Sequence, residues 1–207
     1  MTAIEYYKEV FNPSAAAEVD SKGLYDLKES AVEASHVIVA DKVYGVYHFD
    51  ENFEHKKLFN PDHAKGYRQR HDFILVNIDN ACVEVFLLEM KSKKDDFQHI
   101  RNQLQGGIAA MSFTQRLGLD KALDVRSFGM VRFYAAVLFH TKRLPEITDL
   151  KRFHEECKKR KEERRKYDKI PGVVCVENNV VTLAQLRKSC KEVSLDWQVQ
   201  NVFAEFP

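Results

Sequence analysis

Residues 71–91 read HDFILVNIDNACVEVFLLEMK, two apolar runs with a turn signal between them. Both runs, residues 73–78 and 82–88, are rich in β-branched and aromatic side chains, which favour strands. Asp79 and Asn80 stand between them and tolerate the left-handed backbone that a tight two-residue turn needs. The stretch therefore predicts a β-hairpin.

The predicted hairpin gathers three charged side chains at its open end. A turn at residues 79–80 sets Asp72 opposite Leu87. Positions 87, 89 and 91 share one face of an extended strand, so Glu89 becomes a diagonal neighbour of Asp72, and Lys91 lies beside them. Two carboxylates and one ammonium group at a strand end form a costly arrangement for a purely structural sheet. The pattern therefore predicts a functional site.

The segments around the hairpin follow an order typical of an α/β protein. Before the hairpin, spacing and composition predict helices over residues 4–11 and 24–38, a strand over 43–49 and a long polar loop over 50–69. After the hairpin they predict a helix over 95–116, a strand over 130–140, a charged helix over 149–167, a short strand over 173–177 and a helix capped by Thr182. The core order is helix-strand-strand-strand-helix-strand, which predicts a mixed central sheet flanked by helices. We expect a single domain over residues 1–207, with a core at about 24–140 and an extension of helices and a strand at about 145–207.

Composition excludes several broad classes of protein. The 207 residues include 32 basic and 31 acidic side chains, and 44% of the chain is hydrophobic, which is enough to form a packed core. The four cysteines stand far apart without a C-x-x-C pair, which argues against a zinc knuckle or a dense disulfide framework. The N-terminus has no apolar signal core, and the apolar runs are too short to cross a bilayer. These features predict a cytoplasmic protein without a membrane partner.

The chemistry that fits the three charged residues is metal-assisted hydrolysis of a phosphodiester. Asp72 and Glu89 supply hard oxygen ligands suited to Mg²⁺ or Mn²⁺, and the backbone carbonyl of Met90 can complete the protein's share. The cation would neutralise the scissile phosphate and lower the pKa of a bound water. Lys91, a compact point charge, could orient that water or stabilise the transition state.

The same residues resemble the PD-(D/E)xK nuclease superfamily, also called restriction-endonuclease-like. The resemblance rests on Asp72, sixteen intervening residues and the triplet at 89–91, set in the order of elements given above. It covers about residues 24–140. It implies a restriction-endonuclease-like core in which Asp72 and Glu89 bind metal and Lys91 assists catalysis. The proline usual before the aspartate is replaced here by His71.

The resemblance also implies supporting residues. Many members place a glutamate on the helix before the first strand, for which Glu33 and Glu29 are the candidates. Some place a glutamine on the helix after the triplet, where Gln103 looks similar. Pro61-Asp62 matches the family's Pro-Asp pair literally, so Asp62 is the alternative to Asp72. We prefer Asp72 because it begins a strand whose register meets Glu89.

Basic side chains near the site are candidates for contact with a nucleic acid. Arg68 and Arg70 precede the first strand of the hairpin, and Lys93 and Lys94 follow the second. Farther along, residues 151–169 carry ten bases and five acids. Interleaved charges of this kind mainly stabilise an exposed helix. The alternative is that this helix binds a nucleic acid.

The sequence thus leads to a Mg²⁺-dependent nuclease, a hydrolase acting on DNA rather than RNA, alone, as a homodimer or with a partner protein subunit. By analogy of fold, its role would lie in restriction, phage defence, repair or a mobile element. The alternative is a non-catalytic subunit that keeps the nuclease fold and binds a partner or positions a nucleic acid.

Overall fold

The structure, a computed structural model, describes residues 1–28, 36–39, 43–49, 72–79, 82–91, 97–140, 149–167, 172–176 and 180–193. Its first half contains α1 (Ala3–Glu9), β1 (Tyr25–Lys28), β2 (His36–Val39), β3 (Gly45–His48), β4 (Phe73–Asp79) and β5 (Cys82–Lys91). Its second half contains α2 (Phe97–Lys121), β6 (Val131–His140), α3 (Leu150–Tyr167), β7 (Val173–Val176), β8 (Val180–Val181), α4 (Leu183–Ser189) and β9 (Lys191–Val193). The protein is of mixed α/β class, as the sequence predicts.

The main sheet has the strand order β3-β4-β5-β6-β7, and β9 pairs with β6. The pairs β3–β4 and β4–β5 are antiparallel, and in the second pair Asp79 and Cys82 are partners, so only two residues separate the paired strands. The pairs β5–β6 and β6–β7 are parallel, with α2 and α3 as the connections that bring the chain back. The sheet is therefore mixed, with β5 at the change from antiparallel to parallel pairing.

Two hydrophobic clusters cover the two faces of the main sheet. On one face, Val85 and Leu87 of β5 pack in a cluster with Ile100 and Leu104 of α2 and with Tyr7 of α1. All of these side chains are almost fully buried. Ile100 and Leu104 are spaced to lie on one face of a helix, and their burial explains why α2 continues without a break through the glycine pair at residues 106–107. Packing of this apolar stripe outweighs the low helix propensity of glycine.

The other face is covered by a small sheet and by α4. The small sheet has the order β1-β2-β8, and its Leu27, Val37 and Val39 are fully buried in a cluster with Phe86 of β5. The helix predicted over residues 24–38 is therefore wrong at both of its ends, where β1 and β2 pair as antiparallel strands. The alternation of Val37 and Val39 toward the core decides the local structure, because a two-residue period can bury both side chains only in a strand.

The remaining segments that fall on described residues agree closely with prediction. The first helix, the strand before the hairpin, the hairpin itself, the long helix after it and the strand that follows are α1, β3, β4–β5, α2 and β6. Thr182 forms a capping box with Gln185 at the start of α4, as its position indicates. The long loop predicted over residues 50–69 lies outside the described residues.

Two neighbouring tyrosines of α1 offer a matched test of the packing. The Tyr6 hydroxyl donates a hydrogen bond to the Thr114 carbonyl, whereas the fully buried Tyr7 hydroxyl has no hydrogen-bond partner among the described residues. We expect Tyr6→Phe to lower the free energy of unfolding by about 1 kcal/mol. Tyr7→Phe should leave it unchanged or raise it by up to about 1 kcal/mol, because it removes a desolvated polar group. Urea unfolding measures both, and an equal loss in the two variants would contradict this description of the core.

Candidate active site

The register of β4 and β5 sets the geometry of the site. Phe73 pairs with Leu88 and Asp79 pairs with Cys82, so residue 72 falls directly opposite Glu89. The predicted pairing of Asp72 with Leu87 is wrong, because the turn residues are 80 and 81 rather than 79 and 80. Asp79 extends the ladder by one pair on the side of the turn.

This correction brings the two carboxylates closer and leaves the face unchanged. Each cross-strand partner moves by two positions, and side chains alternate with a period of two, so the faces are preserved. Asp72 and Glu89 become direct rather than diagonal neighbours. The register therefore makes Asp72 and Glu89 direct cross-strand neighbours, with Lys91 two residues along the same face.

Glu89 is a fully buried carboxylate that is paired with Lys91. Its side chain is 0% exposed, and the Lys91 Nζ lies 2.6 Å from its Oε1. The Lys91 side chain is 13% exposed, so this end of the ion pair is less buried than Glu89. Both residues project from the face of β5 that α2 covers, while Met90 between them packs into the opposite cluster. A buried carboxylate of this kind is tolerated because the ammonium group offsets its charge.

Asp72 is held at the mouth of the hairpin by main-chain hydrogen bonds. Its Oδ2 accepts a hydrogen bond of 2.6 Å from the backbone N–H of Met90, and its carbonyl accepts one of 3.0 Å from the N–H of Phe49. The N–H and C=O of one strand residue point to the same neighbour, so the Met90 carbonyl faces the Asp72 side of β5. The three oxygen donors predicted for the cation therefore lie around one strand end.

The donor set fits a hard divalent cation. Carboxylate and carbonyl oxygens are the ligands that Mg²⁺ and Mn²⁺ prefer, and a small protein share is usual for Mg²⁺, which keeps several waters. Within the described ranges, no group of three or more His, Cys, Asp or Glu side chains stands together as a metal centre. The third protein donor would thus be the main-chain carbonyl of Met90.

Gln103 lies on α2, the helix that packs against β5. Its side chain is 9% exposed and stands next to the fully buried Leu104. Glu89 projects from the face of β5 that α2 covers, so Gln103 and Glu89 lie on the same side of the sheet.

Several predicted site residues cannot be compared with the structure. The glutamates suggested before the first strand, the alternative aspartate, the histidine before Asp72 and four basic residues lie outside the described residues: Glu29, Glu33, Asp62, Arg68, Arg70, His71, Lys93 and Lys94.

A second buried glutamate of β5, Glu84, lies on the opposite face and has a different environment. It accepts hydrogen bonds from Asn77 Nδ2 at 2.8 Å and from Arg187 Nε at 3.0 Å, which tie β4, β5 and α4 together. Sequence reasoning missed this network, although two polar residues inside apolar strands were a signal for it. Burial raises the pKa of Glu84, but the hydrogen bonds from Arg187 and Asn77 outweigh burial and leave the pKa lowered overall.

Comparison of the chain with protein-family models, with curated proteins and with solved structures finds no match. Within the described residues, no helix is both long and apolar enough to cross a membrane.

The lowered pKa of Glu84 predicts how stability depends on pH. Stabilisation by the Glu84 network is present above the unfolded pKa, about 4.3, and is lost as pH falls through the lower pKa of the folded state. We expect Glu84→Gln to cost about 1–2 kcal/mol at pH 7, with a smaller difference from the unmodified protein below about pH 4. Urea unfolding at several pH values measures this. The exposed Glu162→Gln is the control, and a cost for Glu84→Gln that does not change with pH would contradict the assignment.

Proposed function

We propose that this protein is a Mg²⁺-dependent nuclease with a restriction-endonuclease-like core, related to the PD-(D/E)xK superfamily. The observation that carries the proposal is the meeting of Asp72, the buried Glu89 and Lys91 on one face at the end of the β4–β5 ladder. Structural ion pairs rarely need a second carboxylate at a sheet edge, whereas metal-assisted phosphodiester hydrolysis does.

The order and direction of the strands support the proposed core. Three antiparallel strands, β3, β4 and β5, are followed by α2 and by β6, which pairs in parallel with β5. This is the strand-strand-strand-helix-strand part of the order on which the resemblance rests. The helix predicted over residues 24–38 to open that order is wrong at both ends, and we propose that α1, which packs on the same face as α2, takes its place.

The proposed roles follow from the positions of the side chains. Asp72, Glu89 and the Met90 carbonyl would hold the cation, which when bound would neutralise the phosphate and acidify a water. Asp72 is oriented for this by the hydrogen bond from the Met90 N–H. Lys91, whose ammonium group contacts Glu89 and whose side chain is partly exposed, would donate hydrogen bonds to the phosphate or to the attacking water. Gln103 would help to orient these groups from α2.

The substrate that we favour is DNA rather than RNA, and the protein would act as a homodimer or with a partner subunit if a single site does not suffice. Phosphodiester chemistry follows from the site itself. The choice of DNA follows from the resemblance, and an assay with both nucleic acids decides it.

The Glu89–Lys91 contact also favours a second candidate function, a non-catalytic subunit that keeps the fold and positions a nucleic acid or a partner protein. A carboxylate and an ammonium group 2.6 Å apart neutralise one another without a metal ion. The two candidates differ in one requirement: the nuclease must take up a divalent cation through Asp72 and Glu89, and the scaffold need not.

Cleavage assays with matched variants test the proposal. We expect the protein to cut single- or double-stranded DNA with Mg²⁺ or Mn²⁺ and not with EDTA. Glu89→Gln and Lys91→Met should each lower the cleavage rate about 100-fold or more, because each removes a group that acts on the charge of the reacting phosphate.

Glu84→Gln is the control for these variants, because it changes another buried glutamate of the same strand on the opposite face. It should keep cleavage at temperatures where it remains folded. Cleavage that survives both Glu89→Gln and Lys91→Met would refute the mechanism. A folded protein that cleaves neither DNA nor RNA with either metal would favour the scaffold.

A further inference from the structure

The charged helix α3 carries a row of basic side chains along one side. Lys151, His154, Lys158 and Lys161 follow one another at intervals of three or four residues, the spacing of neighbours on one helix face. All four side chains are exposed. The row spans about 15 Å, because a helix rises about 1.5 Å per residue. We call these four residues the basic row.

Acidic neighbours are fewer along the basic row than around Lys159. Lys161 and His154 have no acidic residue three or four positions away, Lys151 has one, Glu155, and Lys158 has two, Glu155 and Glu162. Lys159, only two residues from Lys161, has four glutamates at those positions: Glu155, Glu156, Glu162 and Glu163. The charge of the lysines is therefore compensated least at the Lys161 end of the basic row.

The lysines of the basic row are available for an external partner. Lys151, Lys158 and Lys161 make no ion pair with any residue in the part of the chain that the structure describes. The helix is still tied to the protein, since its Asp149 caps the first turn and it packs against β7. A helix packed on the protein with exposed ammonium groups that make no ion pair within the described residues presents a preformed row of phosphate-binding positions.

The topology places α3 on the side of the sheet that holds Glu89. The connections β5–α2–β6 and β6–α3–β7 cross between parallel strands in the same direction along the sheet. Connections of this type are right-handed, so α2 and α3 lie on one face. The chain enters α3 after leaving β6 at the edge where Lys91 pairs with Phe139. The strand that precedes α3 in the chain thus ends at the same sheet edge as the candidate active site.

We infer that the basic row of α3 is a docking surface for the phosphate backbone of a nucleic acid that extends from the candidate active site. Charge complementarity selects the partner: the three ammonium groups of the basic row, with His154 between two of them, match the phosphates of a nucleic-acid backbone, and released counterions supply affinity. The choice of nucleic acid over other polyanions rests on the proposed function. Contacts of this kind position the backbone and carry no sequence preference.

An acidic membrane surface is the competing partner, and the helix suits it less well. Helices that lie in a membrane interface bury a broad apolar face. Along α3 the exposed large apolar side chains are Leu150 and Phe153, both in the first turn. The rest of the described helix surface is polar, which fits a partner that offers only charge.

The test compares two double variants of the full chain that remove the same charge from the same helix. Lys158→Gln/Lys161→Gln removes two members of the basic row. Arg152→Gln/Lys159→Gln, the control, removes two exposed cations from the glutamate-rich side. Glutamine preserves helix propensity in both. Binding of a fluorescent DNA duplex is measured at several salt concentrations, with EDTA present so that no cleavage occurs.

We expect the basic-row variant to bind about tenfold or more weakly at about 0.1 M salt, with the slope of log affinity against log salt reduced by about two. The control should keep nearly the slope of the unmodified protein. Equal losses in both variants, or none in either, would overturn the inference. So would a loss confined to vesicles containing phosphatidylserine, measured in parallel.

The result of this binding test does not depend on whether the proposed nuclease function is correct. A difference between the two variants in a protein that never cleaves nucleic acid would keep the docking surface and remove the nuclease. Metal-dependent cleavage by a protein whose two double variants bind DNA equally well would support the nuclease and remove the docking surface.

Discussion

The antiparallel ladder between β4 and β5 is the constraint on which the rest of the structure depends. Its register decides which side chains of both strands enter each of the two hydrophobic clusters. A slip of one residue would turn Leu87 toward the wrong cluster and would separate Asp72 from Glu89. Selection for a packed core on both faces therefore also fixes the candidate site, because the same alternation controls both.

The two buried glutamates of β5 have different partners. Glu84 is held by Arg187 and Asn77, so its hydrogen bonds join three elements. Glu89 forms an ion pair with a residue of its own strand, Lys91. Buried ion pairs seldom add net stability over apolar residues of similar size. Glu84 is thus explained by architecture, whereas for Glu89 we propose a chemical role.

Much of the fold could be predicted from local pattern, and the errors have identifiable physical causes. The hairpin, α2 and β6 were predictable because their apolar residues follow one period over a long stretch. The helix expected over residues 24–38 was wrong because Leu27, Val37 and Val39 pack in a cluster with strands distant in sequence. Helical and strand spacing coincide in such short apolar segments, and only the tertiary contacts distinguish them. The pairing of β8 with β2 is equally non-local and left no signal in either segment.

The sequence predicted which residues form the candidate site and which face of the sheet they share. It did not predict the strand register correctly. Asp79 was expected in the turn because aspartate tolerates turn conformations, yet it pairs with Cys82 as the last residue of β4. The period of two preserved the face in spite of this shift, so Asp72, Glu89 and Lys91 still converge. Burial of Glu89 and the hydrogen bond from Met90 to Asp72 depend on three-dimensional packing and could not be predicted from the sequence.

A crystal of the protein soaked in Mn²⁺, with its anomalous scattering recorded, tests the central claim most directly. The account predicts an anomalous peak about 2 Å from carboxylate oxygens of both Asp72 and Glu89, with the Met90 carbonyl in the same coordination shell. A crystal that binds Mn²⁺ elsewhere, or whose Glu89 keeps Lys91 as its partner at saturating Mn²⁺, would contradict it.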